Sequence, residues 1–367
     1  MRVALVSPYS LSVPGGVQGQ VLGLARALRA LGHDAVVLGP SDGPAPPGVT
    51  AVGGSVALPA NGSVAPIALA PSAAARTIRA LGRGDFDVVH LHEPLVPGPC
   101  LASLVASPRP LIGTFHAAGT SASYRWAGRV LARLAQRLGL RCAVSAEAAA
   151  LARRHLGGRY DLVPNGVEVA RFADVDPWPT DAPTVVFVGR HEPRKGLAVL
   201  VAALPELPAE AQVWVVGEGP QTARLRAACA GDSRVRWLGR LGDDELLRRL
   251  AGAHVLCAPS LAGESFGMVL LEAMAAGTAV VASDIAGYAA VARPDREAVL
   301  VPPGDARALG AALRRVLTEP DLAATLVTAG ARRAEELSSE RMAERYLERY
   351  AALALSPGRG VNRWPGR

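Results

Sequence analysis

The sequence predicts an α/β protein built from two Rossmann-like domains that face one another across a deep cleft. Three observations carry that expectation. Short apolar, β-branched runs alternate with longer stretches of helical periodicity, the pattern of parallel sheets covered by helices. At 367 residues the chain exceeds what one hydrophobic core ordinarily serves. Both halves also open alike, with an apolar strand, a glycine-bearing loop and an apolar-periodic helix, at residues 17–31 in the first half and 197–204 in the second. Ligands in such sheets sit beyond the carboxyl ends of the strands, so these loops are expected to line the cleft.

In the first half the strands are expected at residues 3–7, 35–38, 87–91, 111–114 and 141–144. In the second half they are expected at 184–188, 212–216, 235–238, 255–258, 279–282 and 299–301. Residues 165–179 hold Asn165-Gly166 and Asp176-Pro177-Trp178-Pro179, turn and proline chemistry that reads as a linker. The expected domains are therefore residues 1–168 and 169–337. A final helix over 338–353 carries Met342, Tyr346, Leu347, Tyr350 and Leu353 at helical spacing and is expected to cross back to the first domain. Residues 354–367, with Pro, Gly and Arg but no apolar pattern, read as a disordered tail.

A net charge of +7 suits anionic partners, either nucleotide phosphates or an acidic membrane face. Nucleic acid is not expected, because aromatics are only 4% of the residues and no recognised nucleic-acid motif is present. Cys100, Cys142, Cys229 and Cys257 lack any paired spacing, which fits a reducing cytoplasm. Residues 1–8 run too soon into Pro14-Gly15-Gly16 for a signal peptide. No apolar run approaches the roughly 18 to 20 residues of a membrane span.

Lys195 is the single lysine among 39 Lys and Arg residues. It stands in Gly189-Arg190-His191-Glu192-Pro193-Arg194-Lys195-Gly196, directly after an expected strand. A compact ammonium retained in so arginine-rich a chain points to a phosphate grip, against the plainer reading of a leftover on a solvated turn. Pro14-Gly15-Gly16-Val17-Gln18 joins the first strand to the first helix. Its glycines allow close backbone approach to an anion at a helix start, although a bare Gly pair also makes an ordinary turn.

The most distinctive stretch is Gly263-Glu264-Ser265-Phe266-Gly267-Met268-Val269-Leu270-Leu271-Glu272. Glu264 precedes a helix start, and Glu272 follows eight residues later on nearly the same face in apolar surroundings. Carboxylates there need hydrogen-bond donors, which sugars and ribose supply. The backbone amides of Ser265 to Met268 would suit a diphosphate. The same stretch spells G-x-S-x-G, but all seven histidines precede Ser265, whereas a hydrolase of that type needs its His afterwards. Asp174-Val175-Asp176 resembles a metal-binding D-x-D but lies in the linker. His90-Leu91-His92 lacks a third ligand at suitable spacing and reads as packing. His116 ends a strand and is expected to contact substrate. Gly217-Glu218-Gly219-Pro220 lacks the third glycine of a dinucleotide fold. Arg125, Arg129, Arg133, Arg137 and Arg141 recur at every fourth position, either a lipid-facing helix stripe, with Arg76, Arg79 and Arg83 adding to it, or a solvated face.

Taken together, the Gly-Gly loop, Arg190 with Lys195, and the Glu264/Glu272 spacing resemble the retaining glycosyltransferases of family 4, which have the GT-B fold. Within that family the likeness is greatest to the branch that mannosylates inositol phospholipids, carried by Pro8-Tyr9-Ser10, Asn61-Gly62-Ser63-Val64, Gly84-Asp85-Phe86-Asp87, His92-Glu93-Pro94 and Gly263 to Met268. The resemblance implies an acceptor-binding first domain and a second domain that binds a nucleotide sugar, GDP-mannose. Arg190, Lys195 and Gly16 would hold the diphosphate, Glu272 the ribose and Glu264 the mannose, with Arg194, Leu241 and Asp243 near the nucleotide. Tyr9, Gln18, Asn61, Ser63 and His116 would face the acceptor and the transferred sugar. His116, Arg190, Lys195 and Glu264 make the implied catalytic set. The resemblance also implies no metal or cofactor, and an enzyme peripheral on the inner membrane face, in contact with anionic lipid. Ser12, Ala60 and Pro66 depart from the branch, which has Asp, Tyr and Arg there. Another nucleotide sugar of the UDP-glucose or UDP-N-acetylglucosamine type, a soluble acceptor, a nucleotide-sugar epimerase and a silent sugar-nucleotide-binding protein are the competing expectations.

Overall fold

The computed structural model describes residues 1–60, 63–118 and 122–355. The chain forms two compact units, Met1–Gly166 with a C-terminal helix, and Val167–Ser338. The first unit runs β1 (Arg2–Val6), α1 (Gly16–Ala30), β2 (Asp34–Gly39), β3 (Val49–Ala51), β4 (Val56–Ala60), β5 (Ser63–Ile67), α2 (Pro71–Arg83), β6 (Val88–His92), α3 (Pro99–Ala106), β7 (Leu111–Phe115), α4 (Ala122–Ala135), β8 (Leu140–Ala143), α5 (Ala146–Leu156) and β9 (Asp161–Leu162). The second runs α6 (Ala170–Ala173), β10 (Thr184–Val188), α7 (Leu197–Ala203), β11 (Gln212–Val216), α8 (Thr222–Ala228), β12 (Val235–Gly239), α9 (Asp243–Gly252), β13 (Val255–Ala258), α10 (Met268–Ala275), β14 (Ala279–Ser283), β15 (Val299–Val301), α11 (Ala306–Thr318) and α12 (Pro320–Glu336). The helix α13 (Ser339–Ala354) then completes the first unit.

In the first unit the sheet order is β3-β2-β1-β6-β7-β8-β9, with every neighbouring pair parallel. The central strands β1, β6 and β7 are buried along almost their whole length because both faces are covered. Along β1, Ala4 and Val6 join a core with Leu104, Ala135 and Leu151 of α3, α4 and α5. The alternate residues Val3 and Leu5 join Leu24 and Leu28 of α1 and Met342, Tyr346 and Tyr350 of α13. The period-two alternation of a strand thus feeds two helix layers. Each fully buried Leu or Val contributes about 1.5–3 kcal/mol. A polar thread also runs through the α13 contact: His90 bonds Tyr350 Oη and Thr114 Oγ1, each at 2.7 Å, and Thr114 Oγ1 lies 2.9 Å from Tyr346 Oη.

The second unit has the order β12-β11-β10-β13-β14-β15, again parallel. Val185 and Phe187 of β10 face α7 and α11, while Val186 packs with Leu250 of α9 and Leu270, Leu271 and Met274 of α10. In each sheet the first strand lies between two strands reached in opposite directions, β2 and β6 around β1, β11 and β13 around β10. Such a reversal opens a crevice at the carboxyl ends of the central pair.

Several expectations change. The antiparallel pair β4–β5 is absent from the expected strands, although an Asn-Gly sequence such as that at 61–62 favours hairpins. Residues 165–179 are not a free linker. Val167 and Trp178 pack on the second core, Arg249 stands 3.7 Å over the Trp178 ring, and Arg248 reaches the Asp176 carboxylate at 2.9 Å. The units divide at Gly166/Val167, since the buried Val167 donates its N–H to Leu337 O. The arginine ladder does not lie on one helix, because α4 stops at Ala135. Arg137 instead donates to Leu104 O at 2.7 Å, and Arg141 lies in β8. Among the described residues no helix is long and apolar enough to cross a membrane. Most of the expected tail, residues 356–367, lies outside the described residues.

Candidate functional site

The loops that follow β10 and β13, the two paired strands at the reversal in the second unit, bring five charged side chains together. After β10 the chain makes a 3-10 turn, Pro193–Lys195, that ends in Gly196 at φ 69°. A Cβ there would also lie 1.8 Å from Pro259 O, so only glycine lets the turn close against the β13 loop. The backbone bond from Leu261 N to Arg194 O, 2.7 Å, joins the two loops.

On this frame three cations meet two carboxylates. Lys195 Nζ is 2.7 Å from Glu264 Oε1, and its side chain is only 20% exposed. Arg194 spans both acids, with Nε 3.0 Å from Glu192 Oε2 and a terminal nitrogen 3.2 Å from Glu264 Oε1. Arg190 Nε lies 2.8 Å from Glu192 Oε1, close enough to pair but without hydrogen-bond alignment. The cluster keeps one net positive charge, and Lys195 keeps donors beyond the one used on Glu264. Such a surplus at the carboxyl end of a parallel sheet suits a phosphate.

Glu264 is held asymmetrically. Its Oε1 also accepts from Ser260 Oγ at 3.1 Å, and Ser260 Oγ in turn accepts from Tyr288 Oη at 2.8 Å. Among the described residues no protein group bonds Oε2. As expected, Glu264 precedes a helix start, since α10 begins at Met268 with Gly267 as its cap; it lies in the loop, however, and so shares no helix face with Glu272. Phe266 is 1% exposed in the core and offers a ligand only its backbone.

Glu272, on α10, is the second carboxylate. Burial, the largest influence, lifts its carboxyl to about 7; Arg171 and Lys195 oppose the rise and Asp243 adds to it. Among the described residues nothing bonds its carboxylate, although it keeps partial exposure. Asp243 opens α9 and pairs with Arg171 at 3.3 Å, and Leu241 packs partly against the core beside it. Arg190, Arg194, Lys195, Asp243, Glu264 and Glu272 therefore share one neighbourhood. The hydroxyls of a ligand seated there would donate fully only to an ionised Glu272, and such binding would favour its deprotonated form. The affinity of a hydroxyl-bearing ligand seated on Glu272 is expected to rise about tenfold from pH 6 to pH 8, and Glu272→Gln to flatten the rise, as read by calorimetry.

In the first unit, Gly16 opens α1 with nothing within 4 Å of where a Cβ would stand. Gln18 is 7% exposed and its Nε2 points to Ser10 O at 3.5 Å. The Tyr9 phenol is held neutral, chiefly by burial and then by Glu93 and Cys100. His116 is 6% exposed, with Nε2 3.0 Å from His92 Nδ1. Burial lowers its pKa to about 3, so it acts as a neutral imidazole. Ser12 Oγ accepts from Asp42 N at 2.9 Å, and Pro66 lies in β5. Asn61 lies outside the described residues, and of Ser63 only the strand position is described. Asp176 of the D-x-D is committed to Arg248. Among the described residues no three His, Cys, Asp or Glu side chains are grouped to hold a metal.

Four further residues have no role assigned from the sequence. Glu192 sits inside the lysine motif itself. Ser260 and Tyr288 are joined by the neighbouring strands β13 and β14. Glu93, at φ 54°, accepts from the amides of His116 and Ala117 at 2.7 and 2.6 Å and so fixes the turn that ends β7.

Two family models match the chain, "Glycosyltransferase Family 4" over residues 14–171 and "Glycosyl transferases group 1" over residues 182–319. The phosphatidyl-myo-inositol mannosyltransferase of Mycolicibacterium smegmatis is 40% identical over 343 residues, 91% of this chain and 89% of that protein. Among solved structures, Anabaena HepE bound to UDP and glucose superposes with a TM-score of 0.75 at 20% identity, covering 96% of this chain and 100% of that one. Sucrose-phosphate synthase from Thermosynechococcus elongatus superposes with a TM-score of 0.75 at 24% identity, covering 97% of this chain and 99% of that one.

Proposed function

The chain belongs to glycosyltransferase family 4, has the GT-B fold and is a glycosyltransferase, and from that premise we propose that it transfers mannose from GDP-mannose to phosphatidyl-myo-inositol or a related inositol lipid. The observation that carries the reading is the pairing of Lys195 and Arg194 with Glu264 outside β10 and β13. Lys195 and Arg190 would hold the diphosphate, Glu272 the ribose hydroxyls, and Glu264 Oε2 a sugar hydroxyl. Loop backbone from Ser265 to Met268 would complete the donor site.

In the reaction the bond from the anomeric carbon to the diphosphate breaks. The acceptor oxygen bonds to that carbon on the same face, and its proton passes to an oxygen of the leaving phosphate. Charge gathers on that phosphate, where the surplus cations of the cluster stabilise it. We assign this charge compensation to Lys195, Arg190 and Arg194 in place of a metal ion. Tyr9, Gln18 and His116, with Asn61 and Ser63, are assigned to the acceptor and transferred sugar, and the open space at Gly16 would admit ligand close to the backbone.

A lipid acceptor would bring the enzyme to a membrane surface, and we propose the inner face. Exposed Arg129 and Arg133 on α4 flank Val130, which is 60% exposed, and Arg79 and Arg83 on α2 accompany Ile78 at 40%. These would meet an anionic lipid surface.

The test offers GDP-mannose, UDP-glucose and UDP-N-acetylglucosamine with phosphatidylinositol vesicles, and products are read by mass spectrometry. Addition of one hexose from GDP-mannose is expected. Transfer from another donor only, or to a soluble acceptor only, contradicts the specificity, and donor conversion without acceptor contradicts transfer itself.

A further inference from the structure

Tyr288 ends the 3-10 turn Ala286–Tyr288 after β14 and is 1% exposed. Its hydroxyl donates to Ser260 Oγ at 2.8 Å, and Ser260, 2% exposed, spends its own proton on Glu264 Oε1 at 3.1 Å. The direction is consistent along the chain: a phenol held neutral, first by burial and next by Glu264, donates to a serine, which donates to a carboxylate. The backbones meet as well, since a Cβ on Gly287 would lie 2.0 Å from Glu264 O. The Tyr288 turn is thus packed directly against the loop that presents Glu264.

We propose that Tyr288 and Ser260 are positioning residues, a neutral hydroxyl relay that pins Oε1 of Glu264 and leaves Oε2 to accept from a hydroxyl of the transferred sugar. The proposal rests on the assignment of Glu264 to the sugar. Oε1 has two further donors, Lys195 at 2.7 Å and Arg194 at 3.2 Å, but both are cations. An incoming diphosphate competes for them, because charge-assisted bonds to phosphate are strong. It does not compete for a serine proton buried behind the carboxylate. The relay therefore becomes the main anchor of Glu264 once donor is bound, and it selects for a hydroxyl-bearing ring rather than for the nucleotide.

The experiment compares the full chain with Tyr288→Phe, Ser260→Ala, the double variant and Glu264→Ala. GDP and GDP-mannose are titrated by calorimetry, with UDP and UDP-glucose alongside to expose a wrong base on the unaltered protein, and turnover is followed with the donor that binds. Each single variant is expected to bind the free nucleoside diphosphate within about twofold of the parent, which also shows that it is folded, while kcat falls about tenfold. The double variant is expected to lose no more than Ser260→Ala, because both residues act through one bond. Equal losses for nucleotide and sugar nucleotide, additive losses, or unchanged turnover in Tyr288→Phe beside an inactive Glu264→Ala would each overturn the relay. Full activity in Glu264→Ala would instead show that the sugar assignment itself has failed, and the relay with it.

Discussion

Lys195→Ala is expected to lower transfer by about 10²- to 10³-fold while the chain stays folded. The Lys195 side chain is four-fifths covered, and its ammonium is one of the three cations that leave the cluster positive. Without it Arg190 and Arg194 are balanced by Glu192 and Glu264, and the surplus charge that would meet a leaving phosphate is gone. Lys195→Arg is not expected to restore activity. A guanidinium is planar and longer, and Arg194 already occupies the adjoining approach to Glu264 Oε1 at 3.2 Å. Steady-state kinetics, with circular dichroism as the fold control, separates these outcomes. Retention of more than about a tenth of the activity in Lys195→Ala would contradict the phosphate role.

Glu264→Ala is expected to be as damaging but to show a different signature. Removing the carboxylate frees Lys195 and Arg194, so the nucleoside diphosphate alone binds as well as before or more tightly. The added affinity supplied by the sugar disappears, and turnover falls by about 10²-fold or more. Comparing the affinities of nucleoside diphosphate and nucleotide sugar checks this, and a parallel loss for both ligands would contradict it.

Much of this arrangement is legible in the residues. The parallel sheets follow from β-branched runs long enough for a strand and too short for a helix, and β10, β11, β13 and β15 fall on their expected residues. Lys195 stands out because nothing else in the chain is lysine. What the residues conceal is nonlocal. Tyr288 and Ser260 are 28 positions apart and meet only because β13 pairs with β14. The hairpin β4–β5 hides because Pro59 and Pro66 break its strand pattern in the sequence. The arginine ladder misleads for the opposite reason: a spacing of four continues in the sequence past the end of α4, where no helix remains to give it a face. Prolines make residues 165–179 look like a tether, yet the indole of Trp178 finds two guanidinium partners, Arg248 at 5.1 Å and Arg249 at 3.7 Å, and the segment packs.

The most direct test is a structure of the whole chain with a nucleotide sugar bound. Lys195 Nζ is expected to hydrogen-bond a diphosphate oxygen, with Glu272 on the ribose and Glu264 Oε2 on a sugar hydroxyl. A diphosphate bound elsewhere, with Lys195 still paired only to Glu264, would contradict the account.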